Sequence, residues 1–208
     1  MSLFTPANST STCFALLDDI DASAADARSR LYTGHLGVLA CRHAAQLPAL
    51  LAEMQQALRQ GKFAVGLFAY ELGADMHGID AHAGGQALAE ILLFEHCEHL
   101  SAEQVQAWLA AQASSATAGI AQVSADTDET EFCAAIARIQ AYIAAGDTYQ
   151  VNYTYRLRFD AYGSVHALYR RLRERQPVPY GALLALPDGR AVLSLSPELF
   201  VRHEEGVL

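Results

Sequence analysis

The stretch YIAAGDTYQVNYTYRLRF, residues 142–159, changes its hydrophobic period in the middle. Before Gly146 the apolar residues are spaced three and four apart, which is typical of an amphipathic helix. After Asp147 they occupy every second position, which predicts a strand with one apolar face. Because a helical pattern leads directly into a strand pattern, this stretch predicts a fold that contains both elements.

The predicted strand places two sets of side chains on opposite faces. The apolar set is Tyr149, Val151, Tyr153, Tyr155, Leu157 and Phe159. The polar set is Gln150, Asn152, Thr154, Arg156 and Arg158. An amide such as that of Gln150 donates and accepts hydrogen bonds, so it can orient a hydroxyl or a carboxylate without supplying charge. The alternative is a strand with one solvated face and no ligand.

The sequence on either side mixes strands and helices without a strict alternation. The predicted strands are residues 13–17, 35–41, 63–71, 87–95, 182–186 and 191–194, and the predicted helices are residues 47–58, 101–110, 128–145 and 164–172. Adjacent apolar runs around a Pro-Asp-Gly turn indicate a hairpin. We therefore predict an α+β fold with antiparallel sheets and packed helices.

Small polar residues dominate residues 111–125, which predicts a linker there. This gives an N-terminal domain at residues 1–125 and a second domain at residues 126–208. The apolar runs on both sides are too extensive to stay uncovered, so we expect residues 1–110 and 126–208 to share sheets.

Composition excludes several classes of protein. The chain has 208 residues, 52% of them hydrophobic, and a net charge of -9 from 14 Lys+Arg against 23 Asp+Glu. A nucleic-acid partner is not expected, because nucleic-acid surfaces need clustered positive charge. No run approaches the roughly 18 apolar residues of a transmembrane helix, and the N-terminus lacks a basic, apolar signal sequence. We therefore expect a cytoplasmic protein without a membrane partner.

The cysteines do not indicate a metal site. Cys13, Cys41, Cys97 and Cys133 are widely separated, and no two of them have the C-x-x-C spacing. Cys97 lies between His96 and His99, but three such neighbours make a poor tetrahedral ligand set. We expect no metal ligands in this chain.

Glu198 is the second candidate for chemistry. It follows a predicted strand end and is preceded by Pro197, which stiffens the backbone and would fix the position of the carboxylate. The alternative interpretation is a surface turn.

Two motifs together resemble the chorismate-utilising enzymes. They are AGDTYQVNYT at residues 145–154 and SLSPELF at residues 194–200, with QPVPYGALL at residues 176–184 between them. The segments LLDD, SRLYTG and FAVGLFAYELG upstream are similar to the N-terminal region of component I of the aminodeoxychorismate synthases. The resemblance covers nearly the whole chain and implies an anthranilate synthase component I-like fold, incomplete in these residues.

The residue at position 150 separates branches of that family. Isochorismate and salicylate synthases have a lysine base there, whereas this chain has Gln150. A neutral amide cannot deprotonate water, which favours ammonia as the nucleophile. The Q-V-N-Y-T sequence is similar to aminodeoxychorismate synthases, and anthranilate synthases, which also have a glutamine there, stay an alternative.

The resemblance also implies roles, a metal and a partner. Glu198 would be the general acid, Gln150, Asn152 and Thr154 would contact chorismate, and ammonia would come from a glutamine amidotransferase subunit. The Mg²⁺ ligands, and a lysine in a P-I-K-G-T motif, would lie downstream, since residues 1–208 contain no such motif. We therefore expect the N-terminal part of an enzyme, inactive by itself. A non-catalytic homologue that binds a partner or metabolite is the remaining alternative.

The family has, in addition, a tryptophan pocket in its N-terminal region. The residues at the corresponding positions are Leu17, Asp19, Pro179 and Tyr180. A serine is common in the family where this chain has Asp19, and a carboxylate there could pair with the ammonium group of the ligand. The alternative is a packed interface between the two segments without a ligand.

Overall fold

The computed structural model describes residues 3–7, 12–79, 86–113 and 117–203. The strands are β1 (Phe4–Pro6), β2 (Phe14–Asp18), β3 (Ser29–Cys41), β4 (Phe63–Phe68), β5 (Ala89–Leu100), β6 (Gly119–Ala125), β7 (Leu157–Tyr162), β8 (Tyr180–Ala185) and β9 (Ala191–Ser196). The helices are α1 (Leu47–Arg59), α2 (Tyr70–Met76), α3 (Ala102–Gln112), α4 (Glu129–Ala145) and α5 (Val165–Arg175), with a 3₁₀ turn at Ala44–Gln46.

One antiparallel sheet organises most of the described residues. Its seven strands follow the order β4-β5-β3-β2-β8-β9, and β1 also pairs with β3. Strand β2 pairs with β8 in the register Phe14↔Ala185 to Asp18↔Gly181, so the two ends of the chain share this sheet. Both the α+β class with an antiparallel sheet and the expected sharing of a sheet are confirmed.

The described residues form two compact units. The first contains those of residues 1–112 and 169–208, and the second contains those of residues 113–168. Compactness does not define where a functional domain begins, so the division into residues 1–125 and 126–208 stays a prediction. Residues 114–116 of the predicted linker lie outside the described residues.

Side chains on both faces of the sheet are buried in the first unit. Leu92 and Phe94 of β5 pack with Ala15 of β2 in one cluster. Ile91, the neighbour of Leu92, packs with Leu50 of α1 in a second cluster. Successive side chains of a strand point to opposite faces. Helix α1 therefore covers one face, and the other face has its own core.

The second unit contains β6, α4 and β7. Asp128 caps α4, because its Oδ1 accepts a hydrogen bond of 2.8 Å from the N–H of Glu131, whose Oε2 accepts one of 3.2 Å from the N–H of Asp128. Gly146 ends the helix with a φ of 81°, a left-handed conformation that favours glycine. The predicted helix is confirmed, and none of its residues is buried.

Two predictions of local structure outside residues 149–159 were wrong. Residues 63–71 were predicted as one strand, but β4 ends at Phe68 and α2 begins at Tyr70. Apolar composition alone does not define where a strand ends. Residues 119–125 of the predicted linker form β6, which pairs with β7.

None of the helices in the described ranges is both long and apolar enough to cross a bilayer.

Candidate functional site

The segment around Gln150 is not the strand that its periodicity predicts. Strand β7 begins only at Leu157, and residues 150–156 have no regular secondary structure. A strand needs a hydrogen-bonded partner as well as a side-chain pattern. Near the end of this segment, the N–H of Arg156 donates to Asp126 Oδ1 at 2.9 Å and its carbonyl accepts from the N–H of Asp126 at 3.1 Å.

The two-residue alternation of side chains nevertheless persists in this segment. The rings of Tyr153 and Tyr155 both contact the ring of Phe132 in α4, with centroids 5.6 Å and 5.8 Å apart. Gln150 Nε2 donates a hydrogen bond of 3.2 Å to Asn152 Oδ1, so these two side chains lie together. Both, like Thr154, are exposed. The structure thus joins two of the three predicted substrate contacts, and their role stays a prediction.

Glu198 lies two residues beyond the end of β9, in a turn fixed by Ser196. The hydroxyl of Ser196 donates to the carbonyl of Glu198 at 2.9 Å and accepts from the N–H of Glu198 at 3.4 Å. The side chain of Glu198 is exposed. Glu198 and Gln150 belong to different units. Their proximity in an active site, and the role of Glu198 as an acid, therefore stay predictions.

The four residues predicted for a ligand pocket converge on one cavity of the first unit. Leu17, Asp19, Pro179 and Tyr180 all line this cavity, whose volume is about 680 Å³. It lies along a row of paired residues that crosses four strands. The row is His99 of β5, Arg30 of β3, Leu17 of β2 and Ala182 of β8. The four residues therefore share one cavity wall, and whether this cavity binds a ligand stays a prediction.

Asp19 is already engaged by protein groups. Arg28 Nε donates to Asp19 Oδ2 at 2.7 Å, and the N–H of Asp21 donates to Asp19 Oδ1 at 2.9 Å. Burial acts to raise the pKa of the Asp19 carboxyl, but these hydrogen bonds and the charges of Arg28 and Arg202 outweigh it and lower the pKa below its usual range. Asp19 is therefore ionised and paired within the protein.

A buried ion pair lies next to this cavity. Asp18 accepts hydrogen bonds from Arg173 Nε at 2.6 Å and Nη2 at 3.3 Å, and from the hydroxyl of Tyr169 at 3.1 Å. Arg173 also donates to the carbonyl of Ala102 at 3.2 Å, which ties α5 to the start of α3. Both charged side chains are less than one-tenth exposed. The hydroxyl of Tyr169 also lies against Gly181. A Cβ atom at position 181 would lie 2.5 Å from the hydroxyl oxygen, so this position has no room for a side chain.

Sequence reasoning missed this ion pair and the arginines of the cavity. A carboxylate at the end of the apolar run of β2 was the available signal, since a buried charge needs a partner. Nothing in the sequence indicated which basic residue that partner is.

The described residues contain no group of three or more His, Cys, Asp and Glu side chains that could hold a metal ion. The Mg²⁺ that the resemblance implies, with its ligands downstream of these residues, stays a prediction.

The comparison with known proteins agrees with this fold. The family model of the chorismate binding enzymes matches residues 13–208, so the chain belongs to that family. Aminodeoxychorismate synthase component 1 of Klebsiella aerogenes is 32% identical over 162 residues, which cover 69% of this chain and 36% of that protein. The protein of the same name from Salmonella typhimurium is 30% identical over 162 residues, with the same coverage of 69% and 36%.

A relative with a different printed name is similar over a shorter stretch. Anthranilate synthase component 1 of Streptomyces coelicolor is 40% identical over 81 residues, which cover 39% of this chain and 16% of that protein. The chain spans 36% of the length of the first two relatives. The similarity therefore assigns the family, and the reaction of the whole protein is a matter for proposal.

Proposed function

We propose that this chain is part of component I of an aminodeoxychorismate synthase. The reaction would join chorismate and ammonia into 4-amino-4-deoxychorismate and water, with the ammonia supplied by a glutamine amidotransferase subunit. The observation that carries the proposal is the neutral pair of Gln150 and Asn152, joined by a hydrogen bond of 3.2 Å. An amide at this position orients a substrate without activating water, which favours ammonia as the nucleophile.

Glu198 would act as the general acid. The hydroxyl group of chorismate is a poor leaving group until it is protonated, so Glu198 would donate a proton to the departing oxygen as the nucleophile adds. The hydrogen bonds of the Ser196 hydroxyl support this role, because they fix the backbone of Glu198 from which the carboxyl side chain extends. The side chain is exposed, which leaves its carboxyl group accessible to a substrate.

Mg²⁺ enters the proposal only as an ion held outside the described residues. It would supply electrostatic stabilisation of the substrate. No step assigned here to Gln150 or Glu198 passes through it.

Anthranilate synthesis is the second candidate, and the similarity to the Streptomyces coelicolor protein favours it.

The test that separates the candidates is to incubate the polypeptide encoded by the complete reading frame with chorismate, Mg²⁺ and ammonium, and to identify the product by mass spectrometry. We expect 4-amino-4-deoxychorismate, which keeps the enolpyruvyl group. Anthranilate with released pyruvate would establish the second candidate, and the absence of any product would favour a non-catalytic homologue. The 208-residue chain alone should not turn over chorismate.

Substitution of Glu198 tests its proposed role as the general acid. Glu198→Gln keeps the shape and removes the proton, so we expect turnover to fall about 10² to 10⁴-fold with a smaller effect on chorismate binding. Glu103→Gln, in the exposed first turn of α3, is the matched control and should be fully active. Full activity of Glu198→Gln would show that the acid is misassigned.

Substitution of Gln150 tests the choice of nucleophile. Gln150→Lys supplies a base, so some product of water addition should appear. Gln150→Met removes the amide without supplying a base, and should lower turnover without forming that product. A Gln150→Lys variant that makes only the amino product would contradict the role given to this position.

A further inference from the structure

The side-chain amide of Gln150 is held at one of its two ends. Its Nε2 donates a hydrogen bond of 3.2 Å to Asn152 Oδ1. Within the described residues this is the only hydrogen bond that the Gln150 side chain makes, so its Oε1 has no partner there. The amide therefore presents a free acceptor, while part of its donor capacity is already used.

Neighbouring contacts also restrict the backbone that carries this amide. The hydroxyl of Thr148 donates to the carbonyl of Gln150 at 3.2 Å. A few residues further on, the rings of Tyr153 and Tyr155 contact Phe132 of α4. These contacts all lie in the second unit, and they limit the directions in which the amide can point.

The direction of the amide decides whether an ammonia molecule bound to it can react. Ammonia has three N–H donors and one lone pair, and the lone pair is the nucleophile. A carbonyl oxygen accepts from an N–H of ammonia and leaves the lone pair available, whereas an amide N–H donates to the lone pair and blocks it. An amide that presents its oxygen therefore suits an ammonia nucleophile, and the same amide rotated by half a turn does not.

We propose that Asn152 is a positioning residue, which accepts from Gln150 Nε2 and thereby turns Gln150 Oε1 toward bound ammonia. Asn152 acts through Gln150 and does not itself contact chorismate, in contrast to the role that the family resemblance implies for it. This inference rests on the proposed function, because it names the group that orients the nucleophile of that reaction.

Two substitutions at position 152 separate positioning from direct contact with the substrate. Asn152→Leu removes the acceptor, so kcat/KM for ammonium should fall about tenfold in the polypeptide encoded by the complete reading frame, and the KM for chorismate should change by less than about twofold. Asn152→Asp keeps an oxygen acceptor and should recover most of this loss. A rise in the KM for chorismate in both variants, larger in Asn152→Asp because a carboxylate repels this dicarboxylate, would overturn the proposal in favour of direct contact.

Gln140→Leu is the matched control. Gln140 is an exposed amide of α4 in the same unit, so its replacement should leave both kinetic constants unchanged. Circular dichroism would verify that each variant is folded. Activity of Asn152→Leu equal to that of Gln140→Leu would overturn the role of Asn152 alone, whereas a wild-type polypeptide that forms no amino product would overturn the proposed function as well.

Nuclear magnetic resonance of the 208-residue chain tests the hydrogen bond without turnover. The resonances of the Gln150 side-chain amide can be assigned by their loss in Gln150→Met. A hydrogen-bonded amide proton shifts less with temperature than one exposed to water. The Nε2 proton should therefore have a shallow temperature dependence in the wild type and in Asn152→Asp, and a steep one in Asn152→Leu. Equal temperature dependence in all three would show that Asn152 does not hold the amide, and would overturn the proposal.

Discussion

Apolar side chains are buried in the first unit of this chain and largely exposed in the second. In the first unit Leu16, Ile91 and Phe94 are completely buried in a seven-stranded sheet. In the second unit every residue of β7 is exposed, and α4 has an apolar stripe but no buried residue. Apolar residues recur at regular spacing in both units. Such a pattern does not by itself decide burial, which depends on the number of strands and helices available to cover the apolar side chains.

The cysteines should show the largest difference between the units. Burial, and then the charge of Asp188, raises the pKa of Cys13 from its ordinary value to about 12, whereas Cys133 in α4 is exposed. Thiol reagents attack the thiolate, so the native Cys13 should react at least about 10-fold more slowly than the exposed Cys133. Mass spectrometry after brief labelling should find Cys133 modified and Cys13 intact. Equal labelling of both in the native chain would mean that the core of the first unit opens readily.

Removal of the buried cation should have the next largest effect. Arg173→Met leaves the carboxylate of Asp18 buried without its ion pair, so we expect the free energy of unfolding to fall by about 3–5 kcal/mol. The change should appear in urea unfolding monitored by the fluorescence of Trp108, which lies in α3 against Phe14.

Two further variants control for this. Arg175→Met removes an exposed charge from the same helix and should change stability little. Asp18→Asn combined with Arg173→Met should be less destabilised than the sum of the two single variants, because the two side chains interact directly. If Arg173→Met were no worse than Arg175→Met, the ion pair would not stabilise the unit.

A matched pair of leucines gives the most direct test of the difference in burial. Leu16→Ala in β2 removes a completely buried side chain and should cost about 2–5 kcal/mol. Leu157→Ala in β7, where the leucine is half exposed, should cost below about 1 kcal/mol. Urea unfolding followed by both Trp108 fluorescence and circular dichroism would compare them. A similar loss in both variants would indicate that Leu157 is covered in solution.

Local signals account for what could be predicted from the sequence. The ends of α4 were predictable because Asp128 and Glu131 form a capping box and Gly146 adopts a left-handed conformation. Each of these signals acts over a few residues. For the same reason the hairpin of β8 and β9, which turns at Asp188-Gly189, was also predictable.

Interactions between distant segments account for what could not be predicted. The alternation at residues 149–156 was correct for side-chain direction, as the shared contacts of Tyr153 and Tyr155 with Phe132 indicate, but wrong for secondary structure. Whether a ladder forms depends on a partner strand that the pattern does not specify. The four cavity residues were suggested by a family resemblance, whereas Arg28 and Arg30 needed the structure, because their approach to the cavity depends on the register of β3 against β2.

The ion pair between Asp18 and Arg173 also has a consequence for the order of events during translation. The two residues are 155 positions apart, so Asp18 leaves the ribosome long before its cation is made. In the meantime the nascent β2 can pair with β3, but its other edge has no β8 and its terminal carboxylate has no counter-charge. An open edge of this kind is a site for non-native association. The N-terminal strands therefore keep one unpaired edge until α5 and β8 emerge.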